Sequence, residues 1–543
     1  MTTLVDQTAS SRPAAAGSGE ARGFSPALIA AALYTLLTLA LVLISYLLCA
    51  RHFVYPLDDT YIGMAIAKNF ALHGVWGVTR YEFTSADSSL LFPLLLAGLY
   101  RIFGVNAIAP IALSWTFGLA SIFVAARMLA GRVERRVQIV ALILLVLFTP
   151  LFVIGLLGME HSLHLLLTLL FLGYFLEEPA AGQPQRLATL ALVTTLMVAT
   201  RYEGLFVVAS ACVIFALQRR WKAAATILVA SALPVAAYAA YSVSHGAGWL
   251  PNSVSLKGAE SHHGSLLAAA ERVFQRVAWN TGEGIHLPLF LLGIGLAAAI
   301  LARRSPRSSA PLAIVFLGGC LHLCLAAVGW LFRYEDYLLG AGIVALAAAW
   351  PALMEQRRRP AFVAAYLALV CAALSLSLRS VAAFHLLPGC SRSIYSQQWQ
   401  MAHFLGASYP ETAVAANDIG AIDYFNDIHC FDLIGLANAD IFRARRAGRY
   451  STALLDQETR AHHVRIAILY DDWFGGARTN SLNGGPPLPA TWIRVGQWTY
   501  PPAILVEKTV SFYAVDPVEA AKLRTALQQF DPNLPKAVIA TVE

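Results

Sequence analysis

Charged residues are scarce in this sequence. They account for 13% of the chain, whereas about a quarter of the residues in a soluble domain are charged. Hydrophobic residues account for 58%, and the mean hydropathy is +0.60. This composition excludes an ordinary soluble domain and predicts an α-helical polytopic membrane protein that contacts membrane lipids.

A cleavable signal peptide and a zinc motif are also missing. Residues 1–23 are rich in Ser, Ala, Gly and Thr, which predicts a disordered cytoplasmic leader. The apolar run over 24–49 is longer than the ~7–15 residues of a signal-peptide core, so we expect an uncleaved anchor. No Cys/His cluster has zinc spacing, and the vicinal pair His262-His263 lies in a polar loop where solvation is expected. The sequence therefore predicts no metal ligands and no cofactor, and a divalent-metal requirement stays open.

The basic residues encode topology. The formal net charge is +7, but the arginines form short clusters between apolar runs, so no nucleic-acid partner is predicted. The positive-inside rule places these clusters in the cytoplasm; they are at 132–136, 219–222, 303–307 and 357–359. Counting apolar runs between them predicts about eleven transmembrane helices, with the N-terminus inside and the C-terminus outside.

The apolar stretch 88–104 is ambiguous. With the leader in the cytoplasm, the first outer loop, 50–106, lies outside, and the next span has to begin near residue 106 to reach the basic loop at 132. We therefore predict a juxtamembrane or re-entrant helix over 88–104. Were this stretch a true span, the first outer loop would face the cytoplasm.

A transmembrane module, 24–384, precedes a more polar part, 385–543. Runs typical of strands occur there, and so do two helical patterns. The strand-like runs are 412–416, 429–433, 464–469 and 505–515, and the helical patterns are 397–405 and 518–530. We predict a folded α/β domain outside the membrane.

Polar islands interrupt the apolar runs on the predicted outer side. Asp58 and Asp59 directly follow the first span, and carboxylates beside a bilayer are expensive to hold. The other islands are 158–161, 201–204 and 333–336. Each has a plain structural alternative: Asp58 or Asp59 could cap a helix, Arg201 and Glu203 could form an ion pair, and Tyr334 would suit an interfacial aromatic belt. Together the islands outline an active site.

The order of these motifs resembles the C-type glycosyltransferases, which are polytopic enzymes that use polyprenyl-phosphate sugars. The first outer loop contributes Asp58-Asp59-Thr60-Tyr61-Ile62. Later strings resemble the bacterial subgroup that includes the mycobacterial terminal arabinofuranosyltransferase; they are Gly158-Met159-Glu160, Thr200-Arg201-Tyr202-Glu203-Gly204, Leu250-Pro251-Asn252-Ser253 with Lys257, Arg333-Tyr334, and Asp418-Ile419-Gly420-Ala421 with Asp432-Leu433-Ile434-Gly435-Leu436. The resemblance covers about 25–440. Tyr202 replaces a frequent proline, and 85–91 lacks the usual aromatic residue; both departures bear on the sugar more than on the reaction.

The resemblance implies a GT-C-like fold in a bacterial inner membrane. It implies an inverting glycosyltransferase that moves a sugar, such as a pentofuranose, from a polyprenyl-phosphate donor to an extracytoplasmic glycan, lipid or protein acceptor. Asp58 or Asp59 would be the general base, because a carboxylate beside a second carboxylate has a raised pKa, and the resemblance favours Asp58. The residues expected to bind the donor phosphate or substrate are Glu160, Arg201, Glu203, Asn252, Lys257, Arg333 and Tyr334.

Two alternatives to this function stay open. A membrane transporter or lipid flippase for a cell-envelope precursor would need no covalent chemistry, but it should show half-chain repeats. A glycan polymerase or ligase would not depend on the first-loop Asp pair. Separately, Cys390 and Cys430 are the cysteines of the predicted exported part and could pair there in a disulfide.

Overall fold

A bundle of apolar helices occupies the first three quarters of the chain, and a mixed sheet with flanking helices follows. The computed structural model describes residues 25–176, 184–258, 266–475 and 484–543. The predicted leader and His262-His263 lie outside these residues.

The helices of the bundle vary widely in length. They are α1 (Pro26–Leu48), α2 (Asp58–His73), α3 (Leu91–Phe103), α4 (Ala109–Leu129), α5 (Arg135–Phe148), α6 (Leu151–Leu157), α7 (His161–Leu176), α8 (Pro184–Thr200), α9 (Gly204–Leu217), α10 (Trp221–Ser244), α11 (Asn252–Gly258), α12 (Leu266–Glu283), α13 (His286–Leu301), α14 (Pro306–Leu325), α15 (Asp336–Met354) and α16 (Pro360–Ser396). Helix α16 runs past residue 385, where the α/β part was predicted to begin.

Six helices in the described residues are long and apolar enough to cross a membrane, and the number is eight if two bent helix pairs are each one span. Four shorter apolar helices accompany them: α3, α7, α8 and α9. The predicted total of about eleven spans stays a prediction. Helix α3 has 13 residues, fewer than the ~20 needed for a crossing, and its predicted juxtamembrane position stays a prediction.

Close helix packing in the bundle depends on small residues. The Tyr34 ring of α1 is fully buried, and it lies where a side chain would otherwise project from α4 and α6. A Cβ atom at Gly118 or Gly155 would lie 2.4 or 2.6 Å from the Tyr34 hydroxyl oxygen. Glycine at both positions therefore lets three helices meet around one aromatic ring.

The sheet has six strands in the order β2-β1-β3-β5-β4-β6. Strands β2, β1 and β3 are parallel, and the other pairings are antiparallel. The strands are β1 (Ala413–Ala416), β2 (His429–Asp432), β3 (Ile466–Leu469), β4 (Ile493–Thr499), β5 (Thr509–Ala514) and β6 (Ile539–Val542), and the helices are α17 (Gln398–Ser408), α18 (Gly420–Phe425), α19 (Ala439–Arg446), α20 (Thr452–Ala461) and α21 (Ala520–Phe530). The four predicted strands and two predicted helices coincide with β1, β2, β3, β5, α17 and α21, whereas β4 and β6 were not predicted.

The suggested Cys390–Cys430 disulfide is absent, because both side chains are free thiols. Cys390 is buried in the helical bundle on α16, among the apolar residues of the core. Cys430 lies on the edge strand β2 and packs against other residue clusters. The two cysteines share a predicted compartment but lie in different packing layers.

The predicted topology can be tested by cysteine labelling in sealed spheroplasts. Arg304 and Arg449 are exposed, and the exposed Cys371 is first replaced by alanine. We expect an impermeant thiol reagent to label Arg449→Cys in sealed spheroplasts and Arg304→Cys only after permeabilisation. The reverse pattern would overturn the assignment of inside and outside.

Candidate functional site

Asp58 joins the first outer loop to the α/β part. It begins helix α2, and its two carboxylate oxygens accept hydrogen bonds from the backbone N–H groups of Gly420 (2.7 Å) and Ala421 (2.8 Å). A Cβ atom at Gly420 would lie 2.1 Å from the Asp58 carbonyl oxygen, so only glycine permits this approach. The carboxylate therefore has one fixed orientation.

The pKa of Asp58 is far above its usual range. Burial is the main cause and raises the pKa to about 8, the charge of Asp418 adds to the increase, and the two backbone hydrogen bonds oppose it. Asp418 itself accepts hydrogen bonds from Gln398 (2.7 Å) and the Tyr470 hydroxyl (2.8 Å), and burial raises its pKa too. The carboxyl group of Asp58 therefore gains and loses its proton near neutral to mildly alkaline pH.

Asp59 has a different environment. Its side chain is 47% exposed and forms an ion pair with the buried guanidinium of Arg333. The two adjacent carboxylates at the start of α2 thus have different kinds of partner. Asp58 accepts hydrogen bonds from backbone N–H groups, and Asp59 pairs with a guanidinium. Arg333 is buried, so the half-exposed Asp59 carboxylate is the more accessible member of this ion pair.

A strained turn precedes Arg333. Gly329, Trp330, Leu331 and Phe332 all have positive φ, at 89°, 28°, 52° and 64°. Such a run is costly for residues other than glycine and persists only where its surroundings enforce it. Here the Gly329 N–H donates to the Glu335 carboxylate (2.9 Å). The turn places the Arg333 guanidinium against Asp59. It cannot relax without losing the hydrogen bond between Gly329 and Glu335.

A second set of contacts holds the same turn from the other side. Arg379 donates to the Phe332 carbonyl (2.9 Å) and forms an ion pair with Glu335. The Asn280 side chain donates to the carbonyls of Leu323 and Ala326 just before the turn, at 2.8 Å each. Buried polar groups on α12 and α16, and Glu335 just before α15, therefore fix the position of Arg333.

Arg201 lies between two carboxylates. One nitrogen donates to Glu160 (2.5 Å), and two others form a fork on Glu203 (2.6 and 3.2 Å). The same nitrogen that reaches Glu160 also lies 3.1 Å from a His161 ring nitrogen. Because bidentate pairing is the strongest arrangement available to arginine, Arg201 acts first as the centre of a buried ion triad.

Tyr334 connects the triad to the Asp59–Arg333 pair. The guanidinium carbon of Arg201 lies 5.6 Å from the centre of the Tyr334 ring, and that of Arg333 lies 5.2 Å from it. Cation–π contacts of this kind contribute more when desolvated. Of the predicted residues, the structure thus brings Asp58, Asp59, Glu160, Arg201, Glu203, Arg333 and Tyr334 into one connected polar region.

Asn252 and Lys257 lie on helix α11, next to this region. The Asn252 backbone N–H donates to the Ser85 carbonyl (2.8 Å), and its amide donates to the carbonyls of Gly435 (3.3 Å) and Leu436 (3.0 Å). Asn252 therefore ties the outer loops to the α/β part rather than facing open space. The side chain of Lys257 lies outside the described part of the chain, so its predicted role stays a prediction.

Asp87 is a site residue that sequence reasoning missed. One carboxylate oxygen accepts from the Ser89 N–H (2.9 Å), and the other faces Gly63 on α2, where a Cβ atom would lie 3.2 Å away. Burial, then the charge of Glu160, raises the pKa of Asp87 to about 7. The sequence offered one signal for Asp87: it is a lone aspartate in the segment 85–91, where the resembling family usually has an aromatic residue.

The site carboxylates do not converge as metal ligands do. Within the described ranges, the only group of His, Cys, Asp and Glu donor atoms that lie within 4.8 Å of one another is Asp440, Glu458 and His462, on α19 and α20. Asp58 and Arg333 place a carboxyl group of raised pKa and a guanidinium in the same region.

Solved structures with the same architecture are known. ArnT from Cupriavidus metallidurans, bound to undecaprenyl phosphate, matches 90% of this chain and 98% of its own at 13% identity, with a TM-score of 0.50. The Archaeoglobus fulgidus oligosaccharyltransferase, in complex with Zn and sulfate, matches 95% of this chain and 74% of its own at 13% identity, with a TM-score of 0.51. The chain shares the fold of these two proteins.

Two further comparisons add less. A family model described as a domain of unknown function, DUF8728, matches residues 392–513, which span the end of α16 and most of the sheet. No curated protein matches the chain. The fold is thus shared with ArnT and with the archaeal oligosaccharyltransferase, and the resemblance to polyprenyl-phosphate-dependent glycosyltransferases is confirmed at the level of the fold.

The two arginines should differ in what they stabilise. Removing Arg201 leaves Glu160 and Glu203 buried without a cation, and breaking a buried ion pair in this way costs about 3–5 kcal/mol. Removing Arg333 leaves Asp59, whose side chain is 47% exposed and can be hydrated. We expect Arg201→Met to lower the thermal unfolding midpoint of the detergent-solubilised protein much more than Arg333→Met does. Equal losses would contradict the assigned environments.

Proposed function

We propose that this protein is an inverting glycosyltransferase that moves a sugar from a polyprenyl-phosphate donor to an acceptor hydroxyl outside the cytoplasm. The observation that carries the proposal is the arrangement at the start of α2, where an oriented carboxyl group of raised pKa, Asp58, stands beside the pair Asp59–Arg333. The shared fold with ArnT and the archaeal oligosaccharyltransferase supports it.

The reaction needs one base. The acceptor hydroxyl oxygen attacks the anomeric carbon, the bond from that carbon to the phosphate oxygen breaks, and the hydroxyl proton passes to the base. Asp58 suits this role because its orientation is preset and its pKa of about 8 lies near the working pH. Attack from the face opposite the phosphate inverts the anomeric centre and calls for no second carboxylate nucleophile.

Arg333 is the proposed ligand of the donor phosphate. Its guanidinium is buried, aimed by the strained turn, and paired with the exposed Asp59. As the bond to the sugar breaks, the phosphate gains negative charge, so its contact with a fixed cation strengthens along the reaction. Lys257 is proposed to add a second positive charge, and Tyr334 and the triad of Arg201 with Glu160 and Glu203 to keep the surroundings rigid.

We propose a lipid-phosphate donor, an extracytoplasmic acceptor and a site on the outer face of the membrane. A bound undecaprenyl phosphate in ArnT supports a lipid-phosphate donor here, and a bacterial inner membrane with the site on its outer face agrees with the arginine pattern. A pentofuranose as the sugar rests on the motif resemblance. The acceptor would be an extracytoplasmic glycan, lipid or protein.

Replacing the proposed base should stop turnover at the chemical step. Asp58→Asn keeps the shape but removes basicity, and loss of a general base lowers rates by ~10² to 10⁴. In the wild type, the carboxyl group is active when deprotonated, so kcat/KM should rise with pH and level off above about 8. Measuring sugar transfer from a radiolabelled donor against pH tests both expectations.

Asp59→Asn is the matched control for this experiment. It keeps Asp58 and its two backbone hydrogen bonds, so it should mainly raise the KM for the donor by loosening Arg333. Unchanged melting temperatures would show that each variant folds. Wild-type turnover in Asp58→Asn, or a pH profile flat between 6 and 9, would rule out Asp58 as the base. Movement of a lipid precursor without transfer by the wild type would favour the transporter alternative.

Loss of Arg333 or Lys257, the proposed phosphate ligands, should weaken binding of the donor but not binding of the acceptor. A hydrogen bond to a charged group contributes roughly 1.5–3 kcal/mol, or about ten- to a hundred-fold in binding. We expect Arg333→Met and Lys257→Met to raise the KM for the polyprenyl-phosphate sugar and leave that for the acceptor unchanged. Arg80→Met, which breaks an exposed pair with Glu411, should change neither. A rise confined to the acceptor would reassign these cations to the acceptor side.

A further inference from the structure

A second cluster of ionisable side chains lies on the α/β part. Asp440 is in the first turn of α19, Glu458 is on α20, and His462 directly follows α20 as its C-cap residue. One donor atom of each lies within 4.8 Å of the donor atoms of the other two. These residues take no part in the proposed transfer.

The donor set is that of a transition-metal site. Residues four apart on a helix lie on one face, so the spacing from Glu458 to His462 lets one helix supply a carboxylate and an imidazole. In a tetrahedral zinc site, bonds of ~2.0–2.2 Å place the ligand atoms roughly 3.3 Å apart. The observed spacing of up to 4.8 Å is wider than this value, so a bound metal would draw the three side chains together.

The first outer loop contributes a fourth candidate ligand, Glu82. Glu82 and His462 both line a cavity of about 540 Å³ between the first outer loop and the edge strand β2. The loop carboxylate of Glu82 and the imidazole of the cluster therefore border one space that is open to solvent.

Two arginines, Arg443 and Arg465, lie near the cluster or the cavity. Arg443 donates to one oxygen of Asp440 (2.6 Å) and to the Gly246 carbonyl, which leaves the second Asp440 oxygen available to a metal. Arg465 lines the cavity, but it pairs with Glu519. The His462 ring packs against Phe431, with ring centroids 5.2 Å apart, and this contact restricts the orientation of the imidazole.

We propose that Asp440, Glu458 and His462, with Glu82 as the fourth ligand, bind a divalent zinc-class cation. The metal would connect α19, α20 and the first outer loop, and so hold the α/β part against the loop that carries Asp58. It is a structural cross-link, separate from the base and phosphate ligand of the transfer reaction.

Zinc binding to the full-length protein in detergent tests the proposal. Protein stripped with a chelator is titrated with ZnCl₂ against a fluorescent zinc indicator, and its thermal unfolding is recorded with zinc and with EDTA. We expect one zinc ion per chain and a higher melting temperature with zinc. Since loss of even an outer-sphere partner costs ~10–100-fold in affinity, His462→Gln and Glu458→Gln should weaken binding ~100-fold or more, and Glu82→Gln should weaken it ~10-fold.

His463→Asn is the matched control, because His463 is the exposed neighbour that lines the same cavity. All variants are made with His262 and His263 replaced by asparagine, so that this vicinal pair cannot supply the signal. Affinity should be unchanged in His463→Asn. No binding at micromolar zinc by the wild type, or full affinity in His462→Gln, would overturn the proposal.

Discussion

The site depends on two hydrogen bonds that the Asp58 carboxylate accepts from backbone N–H groups. Gly420 and Ala421 are more than 360 residues away along the chain, and they reach Asp58 because Gly420 has no side chain to block the approach. Lys68, further along α2, donates to the carbonyls of Asp423 and Tyr424 at 3.0 and 2.8 Å. The same helix therefore carries the carboxylate pair and fastens the sheet to the bundle.

The two arginines of the site show how surroundings assign roles to identical side chains. Arg201 is held by two carboxylates, so its charge is balanced before any ligand arrives. Arg333 meets one carboxylate, which is half exposed. In the proposed function, a phosphate would compete for Arg333 at small cost, whereas displacing either carboxylate from Arg201 would leave a buried charge without a partner.

Backbone strain and buried ion pairs meet at the turn before Arg333. Three successive non-glycine residues with positive φ cost of order 1–3 kcal/mol each, and Glu335, Arg379 and Asn280 are the groups that offset this cost. The result is a cation whose position is set before the substrate binds. Preset charges stabilise a transition state without a further cost of reorganisation.

Local pattern was enough to predict much of the molecule. The low charge content indicated the membrane, short β-like runs indicated four of the six strands, and the polar islands between apolar runs indicated the residues that gather around Tyr334. Strand β6 is short and half exposed at the sheet edge, and β4 carries a bulge, so neither has a clear alternating pattern. Asp87 was missed because a single aspartate in a polar loop has no period or spacing.

The sequence by itself determined the membrane class, the four polar islands and the order of the motifs, because these follow from composition and short-range spacing. Only the tertiary structure decided which carboxylate is oriented by backbone N–H groups, which arginine is already neutralised, that Asn252 is a tie between loops, and that Cys390 and Cys430 are apart. Burial and charge pairing depend on distance through space, and residues distant in the chain create both.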